Sequence, residues 1–200
     1  MKALIIVDLQ NDFCPGGTLA VRDADKIVPG INKVASRVDL VVTTQDWHPQ
    51  DHGSFASNNP GTNPYDIGKL SGRDQVMWPD HCDQNTEGSN FHPGLKVKAE
   101  NFVKGANKDA DSYSGFFDDD GTGTGLDEYL KSKGVTKVFI CGLATDYCVK
   151  FTALDSLKQG YDTVVLKDLC RGVNISPDDE HKSIVELEHA GATILNSSEV

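Results

Sequence analysis

Residues 137–149 read KVFICGLATDYCV, and this stretch decides the fold. Val138, Phe139 and Ile140 form a short apolar, β-branched and aromatic run that predicts a buried strand. Gly142 breaks it. Thr145 or Asp146 then fits a helix N-cap, and Val149, Ala153 and Leu157 recur at helical spacing. Cys148 therefore falls in the first turn of a helix, just past the end of a strand. Free amide N–H groups there favour a thiolate, the nucleophilic form of cysteine. The same amides could cradle the oxyanion formed when a carbonyl is attacked. A buried, inert thiol is the other reading of such a cysteine.

Working outward, the pattern repeats. Ala3–Val7 is continuously apolar, as in a strand covered on both faces of a parallel sheet, and it ends in Asp8. Asp39–Thr44 is a second buried strand, followed by Gln45, Asp46, Trp47 and His48. Asn101–Val103 is a brief third candidate, ending at Lys104. Asp162–Leu166 and Ala192–Leu195 complete the set. Between them lie helical faces: Ile27, Ile31 and Val34; Leu126, Tyr129 and Leu130, closed by Gly134; and Ile184 with Leu187, closed by Gly191. Ser176-Pro177 predicts the start of that last helix, with proline at its first position. Strands alternating with helices predict a three-layer α/β/α, doubly wound fold with a mostly parallel six-stranded sheet and right-handed crossovers.

The chain has 200 residues, enough for one domain, 1–200, with a sizeable core. Residues 47–98 are the exception to the pattern. From Pro49 to Lys98 the sequence is rich in Asn, Gly, Pro, Asp and Ser, and too long for a plain connection. Phe55, Trp78, His81 and His92 within it predict an organised, site-building excursion. The acidic run Asp118–Asp120 is out of register for a calcium loop and reads as a solvated turn.

The formal net charge of −11 argues against nucleic acid or an anionic membrane surface as partner. No apolar run is long enough for a transmembrane span, and the N-terminal residues lack a signal-peptide layout. Five cysteines, an odd number with no CxxC pair, predict no disulfide framework and a reducing, cytoplasmic setting.

In a parallel sheet all strand carboxyl ends share one rim, and ligands bind outside it. Asp8, Asp46, Lys104 and Cys148 each sit at or just beyond such an end, so they should converge. Asp8 can then take the thiol proton as general base, and Lys104 can favour the charged forms of both. Singly, a strand-end Asp can cap a turn and a strand-end Lys can face solvent; the joint pattern carries the argument. Asp46 and His48, as D-x-H on an extended segment, point to the same side. With His52 and His81 they offer imidazole and carboxylate donors suited to zinc, iron or manganese. Hydrogen-bonded or surface histidines are the alternative.

The segments VDLQNDFCPGG, TTQDWHPQDHGSF, WPDHC, FVKGANKDADSYSGF and GLATDYCV resemble the nicotinamidase/pyrazinamidase family of isochorismatase-like hydrolases, in order and through nearly the whole chain. The resemblance implies a catalytic triad of Asp8, Lys104 and Cys148. It implies a divalent metal, zinc ahead of Fe2+ or Mn2+, on Asp46, His48 and His81, with His52 a ligand in only some members. Phe13, Trp78 and Tyr113 would enclose the pyridine ring. A cis Leu143–Ala144 peptide would aim the Ala144 and Cys148 N–H groups into an oxyanion hole. The implied activity is hydrolysis of nicotinamide to nicotinate and ammonia through a cysteine thioester, in NAD salvage, with pyrazinamide also accepted. The segment Asn58–Asp74 varies among similar proteins and leaves the outer wall of the pocket open, as self-association is left open. The alternatives are a related amidohydrolase acting on another amide, and a catalytically silent small-molecule binding module.

Overall fold

The computed structural model describes residues 1–200. Six parallel strands form the main sheet: β1 (Lys2–Val7), β2 (Leu40–Asp46), β5 (Glu100–Lys104), β6 (Lys137–Leu143), β7 (Asp162–Arg171) and β8 (Thr193–Leu195), in the order β5-β2-β1-β6-β7-β8. The order runs outward from β1 in both directions, the doubly wound arrangement that the sequence predicts. The apolar run of β1 lies at its centre, with Ala3 to Val7 fully buried. Such a run suits a strand covered on both faces. The helices α1 (Val28–Ala35), α2 (Leu126–Ser132), α3 (Lys150–Lys158) and α4 (Asp179–Ala190) supply the covering layers. Ile31, Val34, Leu126, Leu130, Ala153 and Leu187 are their buried contributions to the same core.

Several local expectations are corrected. β2 runs to Asp46 instead of ending at Thr44. β7 continues to Arg171, past Leu166, because a register shift between Ile140 and Gly142 lets β6 and β7 pair again further on. Pro177 is not in the first turn of α4. It lies in a turn before Asp179, held by the Asp179 carboxylate accepting from the Ser176 N–H at 2.8 Å. Neither Thr145 nor Asp146 caps a helix: the Thr145 hydroxyl donates to Glu180 at 2.7 Å, while Asp146 accepts from the Val173 and Asn174 amides at 2.8 and 2.7 Å. Residues Thr145–Val149 form a wider π-helical turn that runs into α3. Such turns concentrate at functional sites.

The excursion is ordered by its own polar groups. It carries a two-stranded antiparallel hairpin, β3 (Ile67–Leu70) and β4 (Arg73–Val76). The Gln10 amide, from the loop after β1, donates to Asp46 and Ser89 carbonyls at 2.8 and 2.9 Å. Asn58 and Asn59 side chains close the loop on itself through the carbonyls of Gln50, His52, Gly53 and Phe55. Asn-rich composition thus reads here as side chains satisfying loop carbonyls. No helix is long and apolar enough to cross a membrane.

Candidate active site

The four strand-end residues meet. Asp8 leaves β1 with φ +45°, Asp46 closes β2, Lys104 closes β5 opposite it in register, and Cys148 sits in the π turn after β6. The Lys104 ammonium is buried and lies 3.0 Å from Asp8 Oδ2 and 3.4 Å from Cys148 Sγ. It also donates to an Asp46 carboxylate oxygen, and to the Ser112 carbonyl at 2.7 Å. Asp8 Oδ1 accepts the Thr44 hydroxyl at 2.6 Å. Asp8 Oδ2 accepts no directed hydrogen bond. Its close partner is the Lys104 ammonium at 3.0 Å, in a cluster where ligand atoms of Asp8, Asp46 and Cys148 all lie within 4.8 Å of one another.

The electrostatics separate the roles. Burial raises the Asp8 carboxyl and Lys104 only partly offsets it, leaving it at about 6. A carboxylate poised there is ionised at neutral pH yet able to carry a proton. Burial also opposes charge on Asp46, but Lys104, His48 and His81 outweigh it and hold Asp46 well below the usual carboxylate range. For Cys148 burial dominates and pushes the thiol well up, against the pull of Lys104. The pull toward a thiolate from the turn's N–H groups and from Lys104 is thereby outweighed by burial.

Asp46, His48 and His81 form a second group, with their ligand atoms within 4.8 Å of one another. The two imidazoles share a pattern. His48 Nδ1 pairs with the Gly105 carbonyl at 2.9 Å, and His81 Nδ1 with the Pro79 carbonyl at 2.8 Å. Each Nε2 then faces Asp46 Oδ2, at 3.8 and 4.0 Å. A carbonyl on one ring nitrogen fixes the tautomer that leaves the other free as a donor to metal. Burial and the neighbouring His48 lower His81 to about 4, so that ring stays neutral. The donor set fits a divalent cation. His52 is not in this group. Its Nδ1 pairs with the Ser54 hydroxyl at 2.7 Å and its Nε2 with the Ala110 carbonyl at 3.3 Å, within a separate buried group of His48, His52 and Asp111.

Beside the two groups lies a small cavity lined by Phe13, Trp78, Tyr113, Tyr147, Ala144 and Cys148 together with Asp46, His48 and His81. Its lining is mostly apolar and aromatic with a few convergent polar groups, the usual make-up of a small-molecule site. Phe13 sits against His81, with ring centroids 5.4 Å apart. Trp78 packs edge-on to Tyr113 at 6.5 Å and to Tyr147 at 4.8 Å. The Leu143–Ala144 peptide is cis. Sequence reasoning missed Tyr147, Asp111 and Thr44. Tyr147 stood next to Cys148 in the opening stretch, but its direction depends on the π turn, which no periodicity announces.

An isochorismatase domain model matches residues 2–199. The chain belongs to that family. It is 50% identical to a nicotinamidase of Escherichia coli over 200 residues, covering 96% of this chain and 93% of that one. Among solved structures it superposes on an Acinetobacter baumanii nicotinamidase/pyrazinamidase with a TM-score of 0.95, 44% identity, and coverage of 99% and 97%. A Pyrococcus horikoshii pyrazinamidase, solved in complex with zinc, matches with a TM-score of 0.81, 38% identity and 98% coverage of both chains. This family member is a hydrolase, built on the fold of those enzymes.

Proposed function

We propose that this chain hydrolyses nicotinamide to nicotinate and ammonia, through a thioester on Cys148. One observation carries the mechanism: a buried ammonium stands between a carboxylate and a sulfur, 3.0 and 3.4 Å away, and that sulfur's residue lines a small aromatic cavity. The amide-bearing ring lies among Phe13, Trp78 and Tyr113. Asp46, His48 and His81 are the residues that would hold a divalent metal, zinc first among the candidates, while both ring nitrogens of His52 are paired elsewhere. When bound, that metal supplies a coordination site for the ring nitrogen, directly or through water.

The chain's own groups do the rest. Asp8 takes the Cys148 thiol proton, and the sulfur attacks the carboxamide carbon. The new oxyanion faces the N–H groups of Ala144 and Cys148; the Ala144 amide makes no hydrogen bond within the protein. One such donor is worth about 3–4 kcal/mol. Asp8 returns its proton to the amide nitrogen, the C–N bond breaks and ammonia leaves. Asp8 then deprotonates a water, which attacks the thioester carbon. The C–S bond breaks, nicotinate leaves, and the thiol is restored. Lys104 favours the ionised form of Asp8 from which each half begins. Pyrazinamide, which differs by a second ring nitrogen, fits the same cavity. The product suits NAD salvage, and five free cysteines suit a reducing cytoplasm.

The test is ammonia release from a panel of nicotinamide, pyrazinamide, N-carbamoyl compounds and ureido acids, with and without chelator. Release from nicotinamide, reduced by chelator, is expected. Release from an N-carbamoyl compound alone would move the assignment to another amidohydrolase of the family.

A further inference from the structure

The hairpin of the excursion reaches the cavity wall through one side chain. Arg73 and Asp74 of β4 are exposed, but Gln75 is only 4% exposed. Its Nε2 stands 2.5 Å from Asp111 Oδ2, 3.0 Å from the Tyr113 hydroxyl oxygen and 2.9 Å from the Val76 carbonyl. Trp78 Nε1 donates to the same Tyr113 oxygen at 3.1 Å. Asp111 is a buried carboxylate that forms no salt bridge; its other oxygen accepts the Ser112 amide at 2.9 Å. A neutral amide is therefore gripped by a buried charge, and charge-assisted bonds of this kind are about twice as strong as neutral ones.

We propose that Gln75 is a positioning residue for the substrate: held by Asp111, it fixes the pitch of the Tyr113 and Trp78 rings that wall the cavity. A phenol oxygen offers two lone pairs, and here Gln75 and Trp78 take both. Tyr113 is thus braced at its tip from two directions, while its face stacks on Phe151 at 5.3 Å and 25°. Without Gln75 the tip keeps one brace, and Asp111 keeps only a backbone donor. Gln75 makes no hydrogen bond to Asp8, Lys104 or Cys148. Its loss therefore acts on how the ring is held and leaves the bond-making steps alone. The proposal rests on the function proposed above, in which those rings receive the substrate.

The test uses Gln75→Met, which keeps length and shape and removes the donors, alone and with Tyr113→Phe. The expected result is a KM for nicotinamide raised about tenfold, kcat within about twofold, and metal content unchanged by elemental analysis. In the Tyr113→Phe background the effect of Gln75→Met should shrink to less than about threefold, because the path runs through the hydroxyl. An unchanged KM, or an equal effect in both backgrounds, would overturn the proposal. A loss confined to kcat would do the same. Should Gln75→Met not fold, Gln75→Asn withdraws the amide by one methylene and is read by the same criteria. If the wild type turns over a different amide of the panel, the function proposed above fails, and the KM comparison is made on that amide.

Discussion

Replacing Lys104 by methionine removes the one cation that faces Asp8, Asp46 and Cys148 together. Asp8 sits at about 6 because burial raises it and Lys104 pulls it back. The base works in its ionised form, so wild-type kcat/KM should fall as pH drops through about 6. A close opposite charge is worth about 1–3 pH units to a carboxylate, and removing it moves this acid limb upward by that amount. At pH 7 the ionised fraction of Asp8 then drops by about 2- to 100-fold. The lost activity should return as the assay is carried alkaline, which distinguishes lost charge from lost geometry. Stability falls as well. Two buried carboxylates without their cation cost about 3–5 kcal/mol, or about 6–20 °C in Tm for a chain of this size. The assays are pH profiles of ammonia release and thermal melts of both proteins. An acid limb that stays in place in Lys104→Met would refute the account of Asp8 as a base tuned by this ammonium.

Cys148→Ala should abolish turnover while ligand binding, followed by tryptophan fluorescence, stays near the wild-type level; residual ammonia release would eliminate sulfur as the nucleophile. Asp46→Ala should lose bound metal and weaken substrate binding, and an unaltered metal content would remove Asp46 from the ligand set. Gly142→Ala tests the strand end itself: at φ +118° a Cβ there would lie 2.1 Å from the Val7 carbonyl oxygen and 2.7 Å from its nitrogen. A loss on the order of 4 kcal/mol is expected, and a variant melting within a few degrees of wild type would contradict that close approach.

The sheet was legible because buried parallel strands advertise themselves as unbroken apolar runs, and β1 is one. The convergence of Asp8, Asp46, Lys104 and Cys148 was legible for a topological reason, since parallel strands end on one rim. What lay beyond the sequence depends on packing. The thiol of Cys148 is governed by burial, which outweighs the helix-start argument for a thiolate. Tyr147 reaches the cavity because the turn is π-helical, and the true extent of β7 follows from a register shift with no local marker. Asp111 and Gln75 sit in polar loop and hairpin sequence that looks solvated; only the fold shows their side chains turned inward on each other.

β5 lies at the flank of the main sheet and is bonded to β2 alone. Flank strands fray most readily, since one neighbour holds them. Here the last residue of that strand is Lys104, whose ammonium bridges to carboxylates on the next two strands, β2 and the end of β1. If β5 peeled away, it would strand two negative charges in a dry interior. The reaction centre thus acts as a clasp on the margin of the sheet, and any change that loosens this margin should silence the enzyme before the body of the domain begins to melt.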